Sequence, residues 1–143
     1  MGESTRVQSA ADREFLAAFS ACTVDPFGHR QHLRVVWLLL GELPLTTAIE
    51  RVCAGLLAFV THLQVPERYH ETITWAYVMI VHERRHRLTP NHSFEEFERA
   101  NDDLFIDGLA VIRRTYSQEI LDCPEARARF VWPSVEGTGS SRG

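Results

Sequence analysis

Apolar residues recur at intervals of three and four along most of this 143-residue chain. No segment shows the alternation of apolar and polar residues that marks a half-buried strand. The widest apolar stripe follows a capping box formed by Thr47 and Glu50. Its members are Ile49, Val52, Leu56, Leu57, Phe59, Val60 and Leu63. These patterns predict an all-α fold.

Capping residues, glycines and prolines divide the chain into about six helices. Asp25 followed by Pro26 predicts the start of the second helix, Gly41 its end, and Pro124 the end of the sixth. The predicted helices, caps included, span 9–22, 25–41, 47–63, 66–88, 93–100 and 102–121, with a short turn at 125–130.

Short connections between the first four helices predict antiparallel neighbours. We therefore expect a single domain over 1–133, built as an up-and-down helical bundle with the last two helices packed on it. The remaining residues, 134–143, are rich in glycine and serine, and we expect them to form a disordered tail.

Composition limits the partners that such a protein would bind. The net charge of −4 argues against nucleic acid or an anionic membrane as the main partner. The apolar run at 35–40 is too short to span a bilayer. Three cysteines, Cys22, Cys53 and Cys123, show no metal-ligand spacing, and the N-terminal residues do not resemble a signal peptide. We expect a cytoplasmic protein with reduced thiols.

A group of histidines is predicted to meet at one end of the bundle, where the second helix starts, the third ends and the fourth starts. His29 and His32 are three residues apart and share a helix face. Glu71 would add a carboxylate ligand or a general base, and Tyr69, like Tyr77, would be able to donate a proton. The four candidate metal ligands are His29, His32, His62 and His70. Such a ligand set suits zinc, iron, nickel or copper.

The same residues also have a purely structural interpretation. His70 and Glu71 are polar residues suited to a helix start, and His62 is suited to a helix end. His29 and Glu71 would also be able to form an ordinary ion pair. Aromatic residues at helical spacing, such as Tyr77, more often belong to the core.

Two segments carry three of these histidines: FGHRQHLRVVW (27–37) and RYHETITWA (68–76). They resemble the F-x-H-R-x-H-L-R and K/R-Y-H-E-T-I-T stretches of a family of small, largely uncharacterised bacterial helical proteins. The A-R-x-x-F close of that family resembles 126–130 here. The resemblance covers most of the chain from the second helix onwards.

This resemblance implies that His29, His32, His70 and Glu71 are the functional positions. It brings no reaction with it, since no activity belongs to the pattern as a whole. His62 lies outside the pattern.

A second metal hypothesis concerns the end of the fourth helix. His82, Glu83 and His86 form a literal HExxH, in which two histidines one turn apart bind zinc and the glutamate acts as general base. His92 falls where an extended version of this motif places a third ligand.

Two features count against a peptidase. Thr89 stands where the extended motif has a glycine, and a β-branched residue does not readily take a positive φ. Arg84 and Arg85 would oppose the charge of the metal. Three hypotheses therefore stay open. The first is a metal-dependent enzyme that acts on a small-molecule substrate, either as a monomer or as a homodimer. The others are a non-catalytic helical binding protein and an HExxH zinc peptidase.

Overall fold

The structure is a computed structural model in which residues 8–133 are described. Every regular element within these residues is helical, and no strand occurs among them. The all-α prediction is therefore confirmed. Within the same residues, no helix combines the length and apolar character that crossing a membrane requires. The predicted tail at 134–143 lies outside the described residues.

Four longer helices form the centre of the fold. They are α1 (Ala10–Ser20), α2 (His29–Glu42), α3 (Leu45–His62) and α4 (Glu71–Arg85). α2, α3 and α4 all contact one another, and α1 lies against α2 and α3. Val36 of α2, Val52 of α3 and Val78 of α4 are completely buried, so the core lies among these three helices.

Within the described residues, five short helices follow α4 along the chain. They are α5 (Phe94–Ala100), α6 (Asp102–Ile106), α7 (Gly108–Ile112), α8 (Gln118–Leu121) and α9 (Pro124–Ala128). α6 lies against α2, while α7 and α9 lie against α4.

Two predicted helix starts are confirmed by their capping boxes. The Ser9 hydroxyl accepts from the Asp12 amide, and the Asp12 carboxylate accepts from the Ser9 amide. Ser93 and Glu96 make the same reciprocal pair at the start of α5. These contacts span three residues, so the local sequence is sufficient to specify them.

The predicted start of the second helix at Asp25 is wrong. α2 begins at His29, and the Gly28 amide donates to the side chain of Gln31, which closes the first turn from inside the helix. Gly41 lies inside α2 rather than at its end. The proline signal failed because a competing local cap was available further along the chain.

The third and fourth helices also differ from prediction. α3 begins before Thr47, which lies inside it. Pro66 belongs to a separate 3-10 turn, Pro66–Arg68, and α4 begins only after His70, whose backbone is extended. α4 ends at Arg85, earlier than predicted.

The predicted sixth helix is broken into α6, α7 and α8. The Asp107 side chain accepts from the Ala110 amide, and the Ser117 hydroxyl accepts from the Ile120 amide, so each starts a new helix. Pro124 begins α9, where a turn was predicted. The break was not predicted because these capping residues lie inside a continuous pattern of apolar residues.

Two helices end with non-glycine residues in the left-handed region. Gln64 after α3 has a φ of 66°. Its amide donates to the Thr61 carbonyl, and the Val65 amide donates to the Val60 carbonyl, which together form a Schellman motif. Cys22 after α1 has a φ of 60°, so the first helix stops at residue 20 rather than 22.

We expect Gln64→Gly to stabilise the protein by about 0.5–1 kcal/mol. Glycine removes the cost of a left-handed conformation, which exceeds its added entropy in the unfolded chain. Urea unfolding of both proteins measures the difference. Gln64→Ala is the control and should leave stability nearly unchanged; equal stability of the glycine variant and the wild type would contradict the prediction.

Candidate functional site

The first turn of α2 brings His29 and His32 together against Tyr77 of α4. The two histidines lie three residues apart on one face of the helix. Their ring centroids are 5.4 Å and 5.3 Å from the centroid of the Tyr77 ring. Two of the four predicted ligands therefore lie close together, and Tyr77 packs against both of their rings.

His29 is held by a backbone carbonyl of α6. Its Nε2 atom lies 2.9 Å from the carbonyl oxygen of Leu104. Because a carbonyl only accepts, Nε2 must carry the proton and donate it, and in the neutral ring Nδ1 keeps the lone pair. The sequence contains no signal for this contact, since every residue has a backbone carbonyl.

His32 has an unsatisfied ring nitrogen. Its Nε2 atom is buried and has no hydrogen-bond partner among the described residues. Burial, with a smaller contribution from neighbouring His29, lowers the pKa of His32 to about 4, so the ring is neutral at pH 7. A buried polar atom without a partner costs about 1–3 kcal/mol. This nitrogen is therefore available to a ligand.

Gly108 permits α7 to approach this group closely. A Cβ atom at this position would lie 2.5 Å from the Tyr77 hydroxyl oxygen and 2.8 Å from Cε1 of His29. Burial, with a contribution from Asp107, raises the pKa of Tyr77 to about 12. The phenol therefore keeps its proton at neutral pH and can donate it in a hydrogen bond. Tyr77 was a candidate from the sequence, but Gly108 was not, because a continuous helix was predicted across residue 108.

His70 serves as the N-cap of α4. Its Nδ1 accepts from the Ile73 amide at 3.1 Å, and its Nε2 donates to the Leu121 carbonyl at 2.7 Å. Both ring nitrogens are thus engaged, and the side chain is buried. His70 has no free lone pair for a metal in this arrangement.

The first turns of α4 also bind the backbone of the C-terminal segment, residues 129–131. The Thr72 hydroxyl donates to the Arg129 carbonyl and accepts from the Val131 amide, each at 3.0 Å. The Phe130 ring stacks on Trp75 with centroids 4.5 Å apart. The segment at 68–76, which resembles a stretch of the bacterial family, therefore makes structural contacts with the C-terminal segment.

The Glu71 carboxylate contacts Tyr69, the other residue predicted to be catalytic. The Tyr69 hydroxyl donates to Oε1 at 2.5 Å, and the Trp75 indole donates to Oε2 at 2.9 Å. Burial raises the pKa of the adjacent Cys53 thiol to about 11, and the Glu71 carboxylate adds to this rise. The predicted pair is brought together between α3 and α4, where both carboxylate oxygens are already hydrogen-bonded.

His62 ends α3 and is exposed. Among residues 8–133, no group of three or more histidine, cysteine, aspartate or glutamate side chains is placed to hold a metal ion. The structure therefore brings His29 and His32 together but does not join them with His62, His70 and Glu71. The physical reason is that both nitrogens of the His70 ring are hydrogen-bonded, one to the first turn of α4 and one to the Leu121 carbonyl. Both carboxylate oxygens of Glu71 are likewise hydrogen-bonded, to Tyr69 and Trp75.

The HExxH histidines, His82 and His86, lie one turn apart at the end of α4 with ring centroids separated by 4.5 Å. Burial, followed by the proximity of His86, lowers the pKa of His82. His92 is engaged elsewhere: its Nε2 accepts from the Trp37 indole at 3.0 Å, and its Nδ1 donates to the Thr89 carbonyl at 2.6 Å. The three histidines do not form a three-ligand site in this structure.

Comparisons with models of protein families, with curated proteins and with solved structures found no match. The family resemblance of the two histidine-containing segments therefore stays a prediction. The functional conclusion depends on the contacts of the side chains themselves.

We expect His70→Ala to destabilise the protein by about 2–4 kcal/mol. The substitution removes a helix cap and leaves the Leu121 carbonyl without its partner. His70→Asn should lose about 1 kcal/mol less, because its side-chain oxygen can still accept from the first turn of α4. Urea unfolding compares the variants; equal losses would show that capping contributes nothing.

We expect acid to destabilise the metal-free protein partly through His32. In the unfolded chain a histidine titrates near pH 6.5, whereas His32 in the folded protein has a pKa of about 4. Protons therefore bind the unfolded state more tightly, and stability is lost as the pH falls from about 6.5 to about 4. Between pH 7 and 4.5 this amounts to about 2 kcal/mol.

The measurement is urea unfolding at pH 7 and 4.5 in the presence of a chelator. His32→Leu should lose about 2 kcal/mol less than the wild type over this interval, since leucine does not titrate. His62→Ala, which changes an exposed histidine, should behave as the wild type does. A His32→Leu protein with an unaltered pH dependence would contradict the prediction.

Proposed function

We propose that this protein is a metal-dependent enzyme acting on a small molecule, with a divalent transition metal held by His29 and His32. The observation that carries the proposal is the buried Nε2 atom of His32, which has no hydrogen-bond partner within residues 8–133. Buried polar atoms are nearly always satisfied, so this nitrogen needs a partner, and a metal ion supplies one. Imidazole nitrogen suits zinc, iron, nickel and copper.

The contact of His29 supports the same assignment. Metal-binding histidines usually donate their second ring nitrogen to a carbonyl or carboxylate, which fixes the tautomer and the ring orientation. His29 donates Nε2 to the Leu104 carbonyl in this manner, which leaves the Nδ1 lone pair for a metal. The two histidines together supply two nitrogen ligands from one helical turn.

The metal would act as a Lewis acid on water or on a substrate atom, because two protein ligands leave coordination positions open. Tyr77 touches both imidazoles and keeps its proton at neutral pH, so its role would be to donate a hydrogen bond to a bound molecule. Gly108 provides the space for this tyrosine.

The position of the group between helices favours a small substrate. His29 and His32 lie on α2, Tyr77 on α4 and Gly108 at the start of α7, so three helices meet around them. Sites of this kind between helices take small ligands rather than macromolecules. His62, His70, Glu71 and Tyr69 have no place in this proposal, since their contacts lie elsewhere.

The test is metal content, measured by mass spectrometry on tag-free protein after reconstitution and desalting. We expect His32→Leu, which replaces the ring with an apolar side chain of similar size, to hold about one equivalent of metal less than the wild type. Circular dichroism checks that the variant remains helical. His62→Ala is the matched control, because it removes an exposed histidine from another helix.

A folded His32→Leu protein with the same metal content as the wild type would overturn the assignment. A wild-type protein that binds no metal even after reconstitution would do the same, and it would favour the hypothesis of a non-catalytic binding protein.

A further inference from the structure

A second pair of histidines, at the C-terminal end of α4, has a geometry of its own. His82 lies in the last turn, and His86 is the C-cap residue four positions later. Their rings meet edge to face, with centroids 4.5 Å apart and planes inclined by 63°. Side chains at this spacing lie on one face, which is the arrangement through which two histidines of a helix bind one metal ion.

One nitrogen of this pair is already oriented by the backbone. The Nδ1 atom of His86 lies 2.8 Å from the His82 carbonyl oxygen and must donate to it. In the neutral ring the lone pair is therefore on Nε2, the nitrogen that remains for a ligand. As at His29, a backbone carbonyl selects the tautomer that a metal requires.

Space is present beside His86. The residue is exposed and lines a surface hollow of about 360 Å³ together with Leu88 and Pro90. This volume is ample for a metal ion with water or another small ligand on its open positions.

Two of the nearby arginines have partners of their own. Arg84 makes two hydrogen bonds to the Asp103 carboxylate, at 2.6 Å and 3.0 Å. The Arg85 guanidinium lies 4.9 Å from the centroid of the Trp37 ring and donates to the Trp37 carbonyl. The Arg84 cation, which counted against a metal from the sequence alone, is therefore neutralised by a carboxylate. Arg85 also lines the hollow beside His86, but its guanidinium is engaged with Trp37.

We propose that His82 and His86 form a two-histidine surface site for divalent transition metals such as Ni²⁺, Cu²⁺ and Zn²⁺. The site is independent of the one proposed at His29 and His32. His92 does not contribute, since it is bonded to Trp37 and Thr89. Two ligands instead of three make this a chelate with several open positions rather than a complete peptidase centre.

Metal binding should also stabilise the C-terminal end of α4. The amides of His86, Arg87 and Leu88 each donate across three residues at 3.2 Å, which is a looser turn than the body of an α-helix. An ion bridging two side chains across this turn opposes its opening, so exchange of these amides with solvent should slow.

The experiment is calorimetric titration of tag-free protein with Ni²⁺, with Mg²⁺ as the comparison because that ion prefers oxygen ligands. We expect one Ni²⁺ site that persists in His32→Leu, and no binding of Mg²⁺. In His82→Ala and in His86→Ala the affinity should fall at least about tenfold, since each variant loses one of two ligands. His62→Ala should bind as the wild type does.

Amide exchange with and without Ni²⁺ gives the second readout. We expect slower exchange at 86–88 in the wild type and no change in His86→Ala. The proposal is overturned if adding His86→Ala to the His32→Leu protein leaves its Ni²⁺ affinity unchanged. It is also overturned if all single-histidine variants weaken binding equally, which would indicate diffuse surface binding. Failure of the α2 site would instead be seen as a His32→Leu protein with unchanged metal content, so the two proposals fail separately.

Discussion

The burial of α4 depends on hydrogen bonds between its polar side chains and the backbone of the C-terminal segment. Buried polar groups need partners, and the first turns of α4 carry several that are almost inaccessible to solvent. His70 bonds the Leu121 carbonyl, while Thr72 bonds the backbone on either side of Phe130. Together with the stacking of Phe130 on Trp75, these contacts fix the residues after α9 against α4.

The need of buried polar groups for hydrogen-bond partners also decides which histidines keep a ring nitrogen available to bind a metal. His70 and His92 have both ring nitrogens engaged in hydrogen bonds, so they serve the fold. His29 and His86 each use one nitrogen on a backbone carbonyl and keep the other. His32 has a buried nitrogen with no partner among the described residues. The number of hydrogen-bonded ring nitrogens in each histidine therefore distinguishes candidate metal ligands from structural residues. The position of a histidine in the sequence does not make this distinction.

The local parts of the fold were predictable because their interactions span a single turn. Ser9 with Asp12 and Ser93 with Glu96 close capping boxes wherever the rest of the chain lies. The break in the sixth helix was missed, since its apolar spacing continues through the break. Asp107 ends one helix and caps the next, which no periodicity reveals.

Sequence by itself determined the all-α class and the pairs of residues within one helix: His29 with His32, and His82 with His86. A helix fixes which of its residues share a face, so spacing alone is enough. Only the tertiary structure decided that Tyr77 and the Leu104 carbonyl meet the first pair, and that His70 turns to the C-terminal segment. The relative rotation of two helices depends on the packing of the entire core, and no local pattern encodes it.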